Sequence, residues 1–73
     1  MAYTDEKLAQ ARAMVGRRVE IPVHFDLWMR GARFGVVTSF GRDAKYVLVK
    51  MDHPQVKRQV RVARVDFDYM LVL

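Results

Sequence analysis

The chain has no cysteine, two prolines, a single serine and a single tryptophan. Without cysteine there is no disulfide and no thiolate zinc site, so neither can staple the fold. Ser39, the one serine, has no nucleophile-elbow setting, and no glycine-rich phosphate loop occurs. His24 and His53 are isolated histidines in separate loops, with only scattered acids to join them, so no metal or other cofactor is expected. His53, before Pro54, reads as a turn residue making one hydrogen bond. No apolar run approaches the length of a membrane span, and Met1 is not followed by a basic-then-apolar leader. A cytoplasmic location is therefore the expectation. Catalysis needs reactive groups held by a supporting shell, and none is legible, so the expectation is a protein that is not an enzyme.

What is present is a 73-residue chain, 52% apolar, with a net charge of +5. That length makes one domain, residues 1–73, with a small core, and the apolar content is too high for a disordered tail. The positive charge favours acidic partners and speeds their encounter without specifying them.

Residues 4–15 read as one amphipathic helix. Thr4 is placed to cap it, Asp5 and Glu6 sit at the favourable end of its dipole, and Tyr3 and Leu8 occupy staple positions. Leu8, Ala11 and Val15 form its apolar face, and Gly16 can supply a left-handed cap. Beyond Gly16 the period falls to two. Val19, Ile21 and Val23 mark a first strand that Pro22 places at an edge or an end. Residues 24–33 form a loop. Phe34 to Phe40 is a second strand, with Gly35 permitting a bulge or a close approach, and Tyr46 to Met51 a third. A fourth strand carries Val56, Val60 and Val62 on one parity. The parity then slips near residues 63–66, where a bulge or a 3₁₀ turn would absorb the change, and residues 70–73 can close as a short strand. The expected fold is mainly β: a small bent antiparallel sheet, or an SH3-like barrel, of four or five strands at residues 17–73, with one N-terminal α-helix.

Two clusters are candidates for binding. Lys57, Arg58, Arg61 and Arg64 fall within eight residues that contain no acid. On a strand Lys57 and Arg61 would share a face, Arg58 would join Val60 and Val62, and Arg64 falls at the slip. Arginine suits phosphate and carboxylate alike through bidentate bonds, whereas the bland alternative is a solvated strand face that discourages edge pairing. The second cluster is the 24–33 loop. Phe25, Leu27, Trp28 and Met29 crowd together beside Arg30 and Arg33. Trp28, Met29, Arg30 and Arg33 suit a protein interface or base stacking, or else Trp28 and Phe25 fold back over a core short of volume. If the loop is extended, Leu27 and Met29 have the parity opposite to Trp28, so both sets cannot easily be buried. Asp66 and Asp68 read as an acidic rim or as partners of Arg61 and Arg64.

The G-x-x-V-x-I opening at 16–21, the long 24–33 loop and the QVRVARVDF segment at 59–67 resemble an SH3-like barrel of the kind that includes KOW modules. Gly35 and Gly41 both compete for the glycine that opens a KOW motif, and Arg30 and Arg33 in the loop argue against binding of proline-rich peptides. The length, charge and helix-plus-sheet layout are also similar to a small transcription regulator type known from a Xanthomonas phage. That resemblance implies a non-catalytic protein of the host cytoplasm that binds RNA polymerase, displaces the promoter-specificity factor and opposes termination. It carries no residue role. A KOW-like module touching RNA or DNA directly, and a phage structural or adaptor protein, are the alternatives.

Overall fold

The computed structural model describes residues 6–73. A helix, α1 (Glu6–Met14), precedes a five-stranded antiparallel sheet. Its strands are β1 (Arg18–Glu20), β2 (Phe34–Phe40), β3 (Tyr46–Met51), β4 (Val60–Ala63) and β5 (Leu71–Val72), in the spatial order β4-β3-β2-β1-β5. The expected mainly β fold with one main helix near the N-terminus is what forms. Of its two expected forms it is the bent sheet, with β4 and β5 at the edges rather than closed into a barrel. A one-turn helix, α2 (Asp26–Met29), and 3₁₀ turns at Arg42–Ala44 and Arg64–Tyr69 complete the chain.

Alternation in the strands decides which face is inside. Val19 of β1, Val37 of β2, Val47, Val49 and Met51 of β3 and Val62 of β4 are buried in one cluster. Ala11 and Met14 of α1 and Phe67 of the second 3₁₀ turn join the same cluster. Burying a side chain of this size contributes about 1.5–3 kcal/mol, so this layer is the main source of stability.

The helix is shorter than the expected 4–15, and the Thr4 cap and the Tyr3 staple lie outside the described residues. Its inner face is Leu8, Ala11 and Met14, not Leu8, Ala11 and Val15. Val15 lies past the last helical turn and is exposed. Gly16 takes the left-handed conformation at φ 82° and donates its N–H to the Val37 carbonyl at 2.7 Å. That turn brings the chain directly from α1 onto the sheet.

Gly35 makes the expected close approach. A Cβ there would stand 2.5 Å from the Lys50 carbonyl oxygen and 2.9 Å from the Met51 Cα. The register shift itself falls further on, between Val37 and Ser39, so Thr38 is the extra residue. The parity slip after β4 is absorbed by the 3₁₀ turn at Arg64–Tyr69, and the last strand is Leu71–Val72. Leu73 donates to the Arg18 carbonyl at 2.9 Å, which seats β5 against β1.

The 24–33 segment is not extended. Phe25 donates its N–H to the Pro22 carbonyl and Trp28 to the Phe25 carbonyl, and α2 follows. Helical spacing replaces strand parity there. Phe25, Leu27 and Trp28 all pack on the core as partly buried side chains, and Met29 alone is thrown outward, 92% exposed.

Candidate functional site

With Val47, Val49 and Met51 turned inward, Tyr46, Leu48 and Lys50 of β3 share the opposite face. Registration assembles their neighbours. Lys50 pairs with Val36, which on its other side pairs with Arg18. Leu48 pairs with Ser39 on β2 and with Arg61 on β4, and Tyr46 pairs with Ala63. The outer face therefore carries half-exposed apolar groups, Val36, Leu48 and Tyr46, interleaved with exposed Lys50 and Arg61. Thr38 and Gln59, joined by a hydrogen bond between Oγ1 and Oε1 at 2.5 Å, add polar groups between β2 and the start of β4.

The Tyr46 ring is held in place. Its atoms occupy the space that a Cβ on Gly41 would need, and the Gly41 N–H donates to the Tyr46 carbonyl at 2.9 Å. The Arg61 guanidinium lies 4.2 Å from the centroid of the ring. Such a cation–π contact fixes the guanidinium without consuming its N–H donors. Arg61 thus stands outward on β4 and is paired with no acid among the described residues.

Lys57 and Arg58 are not strand residues. The strand begins at Val60, because the Asp52–Gln55 turn and its exit occupy the preceding positions. Strand parity accordingly does not assign them faces. Both are exposed in the loop entering β4, and neither meets an acid among the described residues. Arg64 begins the second 3₁₀ turn. It is half-buried and donates from Nη1 to the Asp43 carbonyl at 2.9 Å. Asp43 and Ala44 hold left-handed φ values of 57° and 53°, so Arg64 braces an unusual turn.

The structure does not join the two sequence clusters into one patch. Trp28 donates its indole N–H to the Ile21 carbonyl at 2.8 Å, and the Arg33 guanidinium lies 4.4 Å from its ring centroid. Trp28 is thereby built into the scaffold on one side and covered by Arg33 on the other face available to it. Met29 and Arg30 project from α2 into solvent. A shallow cavity of about 120 Å³ lies between Gly31–Phe34 and Asp52–Pro54, next to the Phe34 end of the outer face. His53 accepts from the Gln55 N–H through Nδ1 at 3.2 Å, the turn role expected of it.

The acids are placed elsewhere. Asp66 meets His24 at 3.2 Å and Asp68 meets Lys7 at 2.9 Å, so neither pairs with Arg61 or Arg64 as anticipated. The reason is the 3₁₀ turn, which directs residues 66–68 toward α1 and the 24–33 segment rather than along β4. The hydrogen bond from Lys7 and the charge of its ammonium hold the Asp68 carboxyl below its ordinary 3.8. Asp52 binds Arg18 through two of its nitrogens, at 2.9 and 2.8 Å, which neutralises the outer face near Phe34. Arg18 also lies 5.1 Å from the Phe34 centroid.

Lys50 and Tyr46 were missed as site residues in the sequence. Lys50 sits in an apolar strand and pairs in register with Val36, information that no local pattern carries. No group of three or more His, Cys, Asp or Glu side chains able to hold a metal ion occurs among the described residues, and no described helix is long and apolar enough to cross a membrane. No family model, curated protein or solved structure matches the chain.

Proposed function

We propose that the chain is a small non-catalytic binding module, of the KOW or SH3-like kind, that contacts RNA or DNA directly through its β3–β4 side. The observation that carries this reading is the set Lys50, Lys57, Arg58 and Arg61, all exposed and without an acidic partner among the described residues. Three of the acids are already engaged by Lys7, Arg18 and His24 on other parts of the molecule. Phosphate is the natural counterpart of such a surface, and arginine held on an aromatic ring keeps its donors available for it. The strand order β4-β3-β2-β1-β5, with a 3₁₀ turn before the last strand, supports the likeness to SH3-like folds. The setting would be the cytoplasm, the host's if the chain is phage-encoded.

A second reading is favoured by α2. Met29 and Arg30 stand together in solvent, a combination enriched where proteins dock. In that reading the chain is a regulator that binds bacterial RNA polymerase, displaces its promoter-specificity factor and opposes termination. A structural or adaptor role in a phage would use the same residues.

Capture of partners from a nuclease-treated bacterial lysate separates these readings. The bait is the wild type beside a Lys57→Glu, Arg58→Glu, Arg61→Glu variant. If nucleic acid is the partner, nuclease alone empties the wild-type bait. Polymerase subunits retained after nuclease would overturn direct nucleic-acid binding in favour of docking on polymerase, through α2 if the variant keeps them and through the β3–β4 side if it loses them.

A further inference from the structure

We infer that the outer sheet face takes a single strand of nucleic acid in preference to a duplex, with bases resting on Val36, Leu48 and the Arg61 guanidinium stacked on Tyr46, and phosphates on Lys50 and the N–H edge of Arg61. This rests on the nucleic-acid reading above and names the form of the ligand. The argument is the interleaving. A duplex offers a cation surface only its phosphates and buries its base faces, so half-exposed apolar groups between the cations would find nothing to cover them. An unpaired strand offers both phosphate and base, and bases stack on aromatic rings and on guanidinium planes irrespective of sequence.

The geometry meets both demands. Val36 and Lys50 are cross-strand partners, as are Leu48 and Arg61, so each apolar position has a cation beside it. From the Lys50 row to Tyr46 the face spans about 13 Å along β3, enough for a short run of bases. Gly41 backs the Tyr46 ring and Arg61 lies over it, so the Tyr46–Arg61 stack is formed before any ligand arrives. The acids of this face, Glu20 and Asp52, lie toward the Phe34 end, where Glu20 pairs with Phe34 and the Asp52 N–H bonds its carbonyl. At the cationic end the strand positions beside Leu48 carry no acid among the described residues, and Asp43 stands in the turn before Tyr46. Charge complementarity therefore selects an anionic strand, and the half-exposed apolar groups select one whose bases are accessible.

The test is fluorescence anisotropy with labelled oligonucleotides of one sequence as single-stranded RNA, single-stranded DNA and duplex DNA. Wild type is compared with Val36→Thr, Tyr46→Thr and Leu48→Thr, substitutions that keep strand-forming residues while removing apolar area or the ring. The wild type is expected to bind single strands at least tenfold tighter than duplex. Tyr46→Thr should lose roughly tenfold toward the single strand, narrowing that ratio. Because a variant can fail to fold, backbone amide shifts of the wild type are followed during titration with the single strand. The expected shifts fall on Val36, Leu48, Lys50 and Arg61. Equal affinity for duplex and single strand, or shifts confined to other surfaces, overturns the inference while leaving nucleic-acid binding intact. A wild type that binds none of the three oligonucleotides overturns the underlying reading as well.

Discussion

Trp28 shows how one residue can carry an interface-like composition and still serve the fold. Its indole N–H ends on the Ile21 carbonyl, and its ring lies under Arg33. Trp28→Phe keeps the apolar body but leaves that carbonyl without the indole donor. The expected cost is about 1–3 kcal/mol, read as a lower midpoint in thermal unfolding. An unchanged midpoint would mean that the bond contributes nothing. Gly35 makes the contrasting case, because what lies beside it is backbone. A methyl there meets the Lys50 carbonyl and the Met51 Cα, which cannot move without opening the β2–β3 pairing. Gly35→Ala should therefore cost about 1–3 kcal/mol or more. At Gly41 the nearest atoms belong to the Tyr46 ring, a side chain rather than backbone, so Gly41→Ala should displace the ring from its place and perturb the outer face more than the fold. Urea unfolding of the two variants side by side checks this order.

Elements were legible where a single period governed them. Val19, Val37, Val47, Val49 and Val62 alternate with polar or half-exposed neighbours; β2 and β3 formed over the expected residues, whereas β1 stops at Glu20, short of Ile21 and Val23, and β4 starts at Val60, without Val56. The slip after Ala63 was visible as a change of parity, and the 3₁₀ turn at Arg64–Tyr69 absorbs it. The 24–33 segment was legible in part: Phe25 and Trp28 fold back over the core as one of its two readings had it, whereas its helical turn was not expected, because four large apolar residues within five positions fit several local conformations. The candidate site was half legible. Arg61 and the exposed loop cations could be read from composition, whereas Lys50 entered through cross-strand pairing. The partners of Asp66 and Asp68 were also beyond reach, since they depend on where the 24–33 segment and α1 lie. That docking has a pH signature. Lys7 and Gln10 of α1 both reach Asp68, and the Asp68 carboxyl is held below its ordinary value. A lowered carboxyl stabilises the folded state fully above 3.8 and loses that contribution as pH falls through the lowered value. Lys7→Ala should return the Asp68 titration toward 3.8 and remove this acid dependence from α1 protection. Carboxyl NMR titration of both proteins measures it, and an ordinary Asp68 titration in the wild type would contradict the contact.

At the scale of the molecule, the +5 charge acts through its placement. Asp52, Asp66 and Asp68 are tied to Arg18, His24 and Lys7, and Lys50, Lys57, Arg58 and Arg61 stand together on the β3–β4 side without an acidic partner among the described residues. A long-range field from such a side accelerates encounter with any polyanion, and salt screens it. The size of the salt effect distinguishes partners. If Lys50, Lys57, Arg58 and Arg61 each neutralise a phosphate, the logarithm of affinity for a single strand should fall against the logarithm of salt with a slope of about −3. Between 50 and 200 mM salt that amounts to a loss of roughly fiftyfold. Removing one of these charges, as in Arg58→Ala, should flatten the slope by about 0.7 and weaken binding to every sequence alike. Met29→Ala should leave the slope unchanged, because that side chain carries no charge and stands on α2 rather than on the cationic side. A slope near zero with undiminished affinity would place recognition in apolar contact instead, and Met29 would then become the residue to follow.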